Sequence, residues 1–148
     1  MAEQPQAVGV DGCRAGWLAV TFDGEACAVS VVSSARSLVE QVPEATIFID
    51  MPIGLPHVDQ PVRRCEPEAR KLLGPRRSSV FNVPCREALD APTYADGSAR
   101  NAAITGRKLS RQSWAIVPKI RELDELLLAR PALRASLREA HPEVCFAQ

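Results

Sequence analysis

Seven prolines, Pro52, Pro56, Pro61, Pro67, Pro75, Pro84 and Pro92, interrupt the middle of the chain so often that no long helix or strand fits between Met51 and about Arg107. Regular structure must therefore be built on either side of this segment. So long an irregular stretch is uncommon in a tidy fold unless it serves a site. One short helix is predicted inside it, around Glu66–Leu73, with Pro67 at its first position and Gly74-Pro75 ending it.

Before the insert, the pattern is that of strands. Ala7–Val10 reads as a first strand, and Gly12 and Gly16 bracket a turn into a second, Trp17–Phe22. Asp23-Gly24 is a hairpin signal leading to a β-branched third strand, Ala26–Val32. Ser33 or Ser34 caps a short helix closed by Pro43. Thr46–Ile49 is nearly all apolar, as a strand covered on both faces would be. After the insert, Ser110 caps a helix that Pro118 must kink or divide, with Ile116, Ile120, Leu123 and Leu127 on its core face. A further helix is predicted from Pro131 to Ala140, and Val144–Phe146 reads as the start of a strand. Three strands, helix, strand, insert, helices, strand is the order of an α/β layer fold, with the fourth strand beside and parallel to the first.

At 148 residues and 46% hydrophobic, the chain suits a single domain with a real core. Eighteen basic and eighteen acidic residues give no net charge, so an electrostatic partner must be sought in local clusters. No apolar run is long enough to span a bilayer, and Met1–Gln6, without a basic start or apolar core, reads as a frayed tail rather than a signal peptide. The five cysteines, Cys13, Cys27, Cys65, Cys85 and Cys145, are odd in number and lack C-x-x-C spacing. They read as thiols in a reducing, cytoplasmic compartment, and their spacing does not make a zinc site.

Two apolar strands each end in an aspartate, Asp11 and Asp50. Asp is depleted from strands, and a single strand-ending Asp usually just turns the chain. Two on adjacent parallel strands, roughly 4.8 Å apart, could instead ligate one divalent ion, because open parallel sheets bind ligands outside the carboxyl ends of their strands. A hard cation such as Mg²⁺ accepts one or two carboxylates completed by water and phosphate. The insert adds a local positive excess: Arg63, Arg64, Arg70, Lys71, Arg76, Arg77 and Arg86 stand against Glu66 and Glu68. Paired Arg76-Arg77 beside Ser78 and Ser79 suit phosphate recognition, although charge runs are most often solvated loops. Trp17 and Trp114 read as core residues. Gln112, Lys119 and Glu122 gather near the Pro118 break, and His141 and Glu143 flank Pro142.

The motifs VGVDGCRAGW, IDMPIGLP, RRCEPEARKLLGPRRSSVF, SRQSWAIVPKIRELDELL and HPEVCF, in that order from Val8 to Phe146, closely resemble the DUF429 family, a group predicted to be RNase H-like nucleases. The resemblance implies an RNase H-like α/β fold: a mixed five-stranded sheet flanked by helices, its first three strands antiparallel. By the same analogy Asp11 and Asp50 would hold Mg²⁺ or Mn²⁺. Arg76, Arg77, Ser78, Gln112, Lys119, Glu122, His141 and Glu143 match the family's motif positions, and with Arg63 they are the candidate substrate contacts and acids. Members of the family continue past HPEVCF into a helix with an acidic motif, whereas this chain ends at Gln148. The expected consequences are an incomplete last strand and helix, Glu122 or Glu143 as the substitute acid, and a homodimer through the uncovered edge. The leading expectation is a metal-dependent nuclease acting on nucleic acid. The alternatives are a catalytically incomplete polyanion-binding module and, lower, a phosphotransferase of the actin-like ATPase and sugar-kinase class.

Overall fold

In the computed structural model, which describes residues 7–147, the reading of Met1–Gln6 as a frayed tail lies outside the described residues. Strands β1 (Ala7–Cys13), β2 (Gly16–Phe22) and β3 (Cys27–Val32) form an antiparallel meander. Two devices make its turns. At the first, Gly16 has φ of 141°, and a Cβ there would meet the Val32 carbonyl and come within 2.9 Å of Ser33 Cα. At the second, Asp23 Oδ1 accepts from the amides of Glu25 (2.9 Å) and Ala26 (2.8 Å). Those amides hold the Asp23 carboxyl below its ordinary value.

Ser34 caps α1 (Ala35–Gln41), its hydroxyl accepting from the Ser37 amide at 3.1 Å. The chain then enters β4 (Thr46–Ile49), parallel to β1, with Val8 opposite Ile47 and Val10 opposite Ile49. The sheet is completed by β5 (Leu137–Glu139), parallel to β4, in the order β3-β2-β1-β4-β5. This is the mixed five-stranded α/β sheet that the resemblance implies, with its first three strands antiparallel.

The sheet is two-faced. Val8, Val10, Trp17, Ala19, Ile47, Ile49 and Leu137 are buried on one side, where α1 contributes Ala35, Leu38 and Val39. Leu123, Leu126 and Leu127 of α5 (Val117–Ala129) are also buried. The other side carries Leu18, Val20, Phe22, Val29, Val31 and Phe48, all of them exposed, with Val29 at 68%. Alternation along each strand puts Asp11 on this second side too, since it stands opposite Leu18.

These elements form one compact unit, made of the chain up to Ile53 together with Glu122–His141. Gly54–Arg121 and the residues from Pro142 onward form a second, the division falling inside α5. The second unit contains α2 (Cys65–Leu73), α3 (Tyr94–Thr105), α4 (Arg111–Ala115), the first turn of α5 and α6 (Pro142–Phe146), with 3-10 turns over Gly74–Ser79 and Arg86–Ala88. Its core is Cys85, Ala88 and Leu109, packed by Tyr94, Ile104 and Trp114. The Tyr94 and Trp114 rings meet edge to face at 6.2 Å. Buried Asn101 closes the loops around this core. Its Oδ1 accepts from the Cys85 amide at 2.7 Å, and its Nδ2 donates to the Arg107 carbonyl at 2.6 Å. Burial pushes the Cys85 thiol up, as suits an inert packed cysteine.

Three expectations about the elements are corrected. The helix read over Pro131–Ala140 is a 3-10 turn, Pro131–Ala135, followed by β5. The free edge of β4 overrides local helix propensity there: the Ile47 amide donates to the Ser136 carbonyl at 2.8 Å, and Leu137 is buried beside Ile47. With that edge taken, Val144–Phe146 belongs to α6, started by Pro142, and is not a strand. The insert holds a twelve-residue helix, α3, capped by the Thr93 hydroxyl, which accepts from the Asp96 amide at 3.2 Å. The division of the post-insert helix near Pro118 is as read: α4 ends at Ala115 and α5 begins at Val117. Among the described residues, no helix is long and apolar enough to cross a membrane.

Candidate functional site

The β1–β4 register decides where the two aspartates lie. Val10 pairs with Ile49, and the Asp50 amide continues the ladder by donating to the Val10 carbonyl at 3.0 Å. Asp11 and Asp50 thus stand one residue beyond the last parallel pair of β1 and β4. Asp50 follows the end of β4, but β1 runs on to Cys13 against β2, so the expectation that Asp11 closes the first strand is corrected: it lies within β1, held there by its pairing with Leu18. Each follows a buried residue, so both carboxylates belong to the exposed side. Asp11 Oδ1 accepts from the Gly12 amide at 2.7 Å, which orients the carboxylate locally and leaves Oδ2 for another partner.

Asp50 is held above the ordinary aspartate value of 3.8, first by burial and next by the negative charge of Asp11. His141 opposes the rise, and Glu139 adds to it. Four ionisable groups, Asp11 within β1, Asp50 after β4, Glu139 in β5 and His141 beyond it, therefore share one electrostatic neighbourhood. Glu139 arrives there because β5 runs parallel to β4, with Ile49 opposite Glu139 and the Ala140 amide donating to the Ile49 carbonyl at 2.9 Å. Its Oε2 also accepts from the Ile53 amide at 2.8 Å, which ties down the chain leaving β4. His141 Nδ1 is buried and has no hydrogen-bond partner among the described residues.

The remaining predicted residues are distributed differently. Glu122, on α5, accepts from Trp17 Nε1 at 3.1 and 3.2 Å and from the Ala35 amide at 2.6 Å. It thereby binds β2 to the start of α1 on the buried side of the sheet. Its substitution by Ala should cost about 2 kcal/mol, because a buried indole N–H and a helix-terminal amide both lose their acceptor. Chemical denaturation would measure this, and a loss under about 0.5 kcal/mol would contradict the structural role. In the second unit, Arg76, Arg77 and Ser78 are exposed on the 3-10 turn Gly74–Ser79. Gln112 is exposed on α4, Lys119 is half-buried on α5, and Glu143 is half-buried on α6. Arg63 is turned onto its own neighbourhood, donating to Cys65 Sγ at 2.8 Å and pairing with Glu66 at 3.0 Å.

Among the described residues, no group of three ligating side chains lying within 4.8 Å of one another includes Asp11 or Asp50. Any cation held there would draw its further ligands from water or substrate. Such a set still fits Mg²⁺ or Mn²⁺, which keep several waters beside one or two carboxylates. The negative charge of Asp11, second to burial in raising Asp50, is a repulsion that a cation between the two would relieve.

No curated protein and no solved structure matches this chain. Residues 9–148 match the family model described as "Protein of unknown function (DUF429)", nearly the whole length, and the chain belongs to that family.

Proposed function

We propose that this protein is a divalent-metal-dependent nuclease whose centre is the Asp11–Asp50 pair. The observation that supports this reading is the placement of two acids at one register level, each the residue after the Val10–Ile49 pair, on one side of adjacent parallel strands, with the Asp50 carboxylate disfavoured by burial and by the charge of Asp11. Asp11 and Asp50 would hold Mg²⁺ or Mn²⁺. Such an ion, when bound, supplies Lewis-acid stabilisation of charge on the phosphate and a nucleophile at neutral pH. The chain's own groups do the rest. The Gly12 amide keeps one Asp11 oxygen in place, the Ile53 amide does the same for Glu139, and His141 brings an imidazole into the field of Asp50. Glu139 adds charge to this neighbourhood without joining the two aspartates in a ligand group, so the part first considered for Glu122 or Glu143 falls to water or substrate.

The test is cleavage of single- and double-stranded DNA and RNA by the purified chain. Breakdown is expected with Mg²⁺ or Mn²⁺ and not with EDTA. Salt-sensitive binding of the same substrates without turnover would instead favour the polyanion-binding module.

A further inference from the structure

The second unit holds a cavity of about 230 Å³ walled by Pro56, Pro61, Pro67 and Val83, with Arg63, Arg70, Arg107 and Glu66 also lining it. Three guanidinium groups against one carboxylate leave a surplus of two positive charges. The three prolines are fixed in φ, so this wall is stiff before any ligand arrives.

The arginines differ in what they have to offer. Arg63 is oriented by Cys65 and Glu66. Arg70 is held by the Val80 carbonyl, through Nε at 3.3 Å and Nη2 at 3.0 Å, and by Asn82 Oδ1 at 3.0 Å. Those bonds use one edge of its fork and leave both N–H groups of Nη1 unspent. Arg107 is exposed, and its guanidinium has no hydrogen-bond or ion-pair partner among the described residues, its backbone alone being engaged. One pre-oriented guanidinium and one uncommitted guanidinium, beside an apolar wall, suit an oxyanion attached to a small apolar body.

We propose that this cavity binds a small phosphate monoester. The dianion matches the surplus of two charges, whereas a carboxylate would neutralise only half of it. The proline and valine wall takes the carbon body of the ester, while Arg70 Nη1 and Arg107 take the phosphate oxygens. Exposed Arg76 and Arg77 do not line this cavity. The cavity shares no lining residue with the Asp11–Asp50 pair and goes beyond the nuclease reading, so it is tested without metal.

Calorimetric titration of the full chain in EDTA, with phenyl phosphate, inorganic phosphate and benzoate as probes, reads it directly. Phenyl phosphate should bind saturably and about tenfold more tightly than either of the others, since only it presents both dianion and ring. Arg107→Ala should weaken phenyl phosphate by about tenfold, and Arg107→Lys should recover part of the loss, both with an unchanged circular dichroism spectrum. Absence of saturable binding, equal binding of benzoate, or unchanged affinity in Arg107→Ala would each overturn the proposal. Cleavage activity, present or absent, bears on none of these readings.

Discussion

Asp50→Asn should abolish divalent-dependent cleavage while making the metal-free protein more stable. The activity loss is expected to be about a thousandfold, or roughly 4 kcal/mol of transition-state stabilisation, because one of two anionic ligands is replaced by a neutral isostere. The gain in stability follows from the electrostatics. Burial, Asp11 and Glu139 all disfavour the Asp50 carboxylate in the folded protein, and only His141 favours it. The folded protein therefore holds the Asp50 proton more tightly than the unfolded chain does. Stability that the protonated form supplies is lost as pH rises from 3.8 through the higher folded-state value, so at neutral pH the carboxylate is a liability that Asn removes. Thermal melts in EDTA should show a higher Tm for Asp50→Asn at pH 7 and a smaller difference near pH 3.5. Adding Mg²⁺ or Mn²⁺ should raise the Tm of the wild type and not that of the variant. A variant that cleaves normally, or a wild type whose Tm ignores both ions, would remove the Asp pair from the chemistry.

Gly16→Ala is expected to have the largest effect on the fold. At φ of 141° an L-residue is strained, and the new Cβ would collide with backbone, the Val32 carbonyl and Ser33, rather than with a side chain that could swing away. Relief requires the β1–β2 turn to move away from the end of β3. β2 carries Trp17, which is fully buried, so that movement spreads into the core. The cost should be about 4 kcal/mol, which for a chain of this size lowers Tm by about 10 °C. Gly9→Ala is the matched control, because nothing lies within 4 Å of its added Cβ. Equal melting of the two variants would show that the close approach at Gly16 is not what holds the hairpin.

The apolar runs Ala7–Val10 and Thr46–Ile49 were legible because they are local, and an aspartate after each stands out against them. The bound of the first strand was not: pairing with β2 carries β1 through Asp11 to Cys13, which no local apolar pattern signals. The parallel direction of β4 follows from a helical crossover, whereas the register that makes Asp11 and Asp50 neighbours is set by the Val10–Ile49 pairing, which no local signal fixes. Glu139 was hidden because PALRASLREA has the composition of a helix. Only the open edge of β4, some ninety residues earlier, makes part of it a strand. The same distance obscured Glu122, whose acidic character was plain but whose partner Trp17 lies 105 residues away. Helix α3 was missed because Gly97, Ser98 and Asn101 are weak helix formers. They are chosen for burial instead: Gly97 admits Trp114, whose ring would lie 2.5 Å from an added Cβ, and Asn101 binds loop backbone.

Asp11 shares a side of the sheet with Leu18, Val20, Phe22, Val29, Val31 and Phe48. A second molecule laid on that greasy plane, or any further polypeptide, would roof the acids as well as the valines. It would strip water from the carboxylates, lower the dielectric around them and strengthen their hold on a cation. Self-association and ion affinity should therefore rise and fall together as protein concentration is varied.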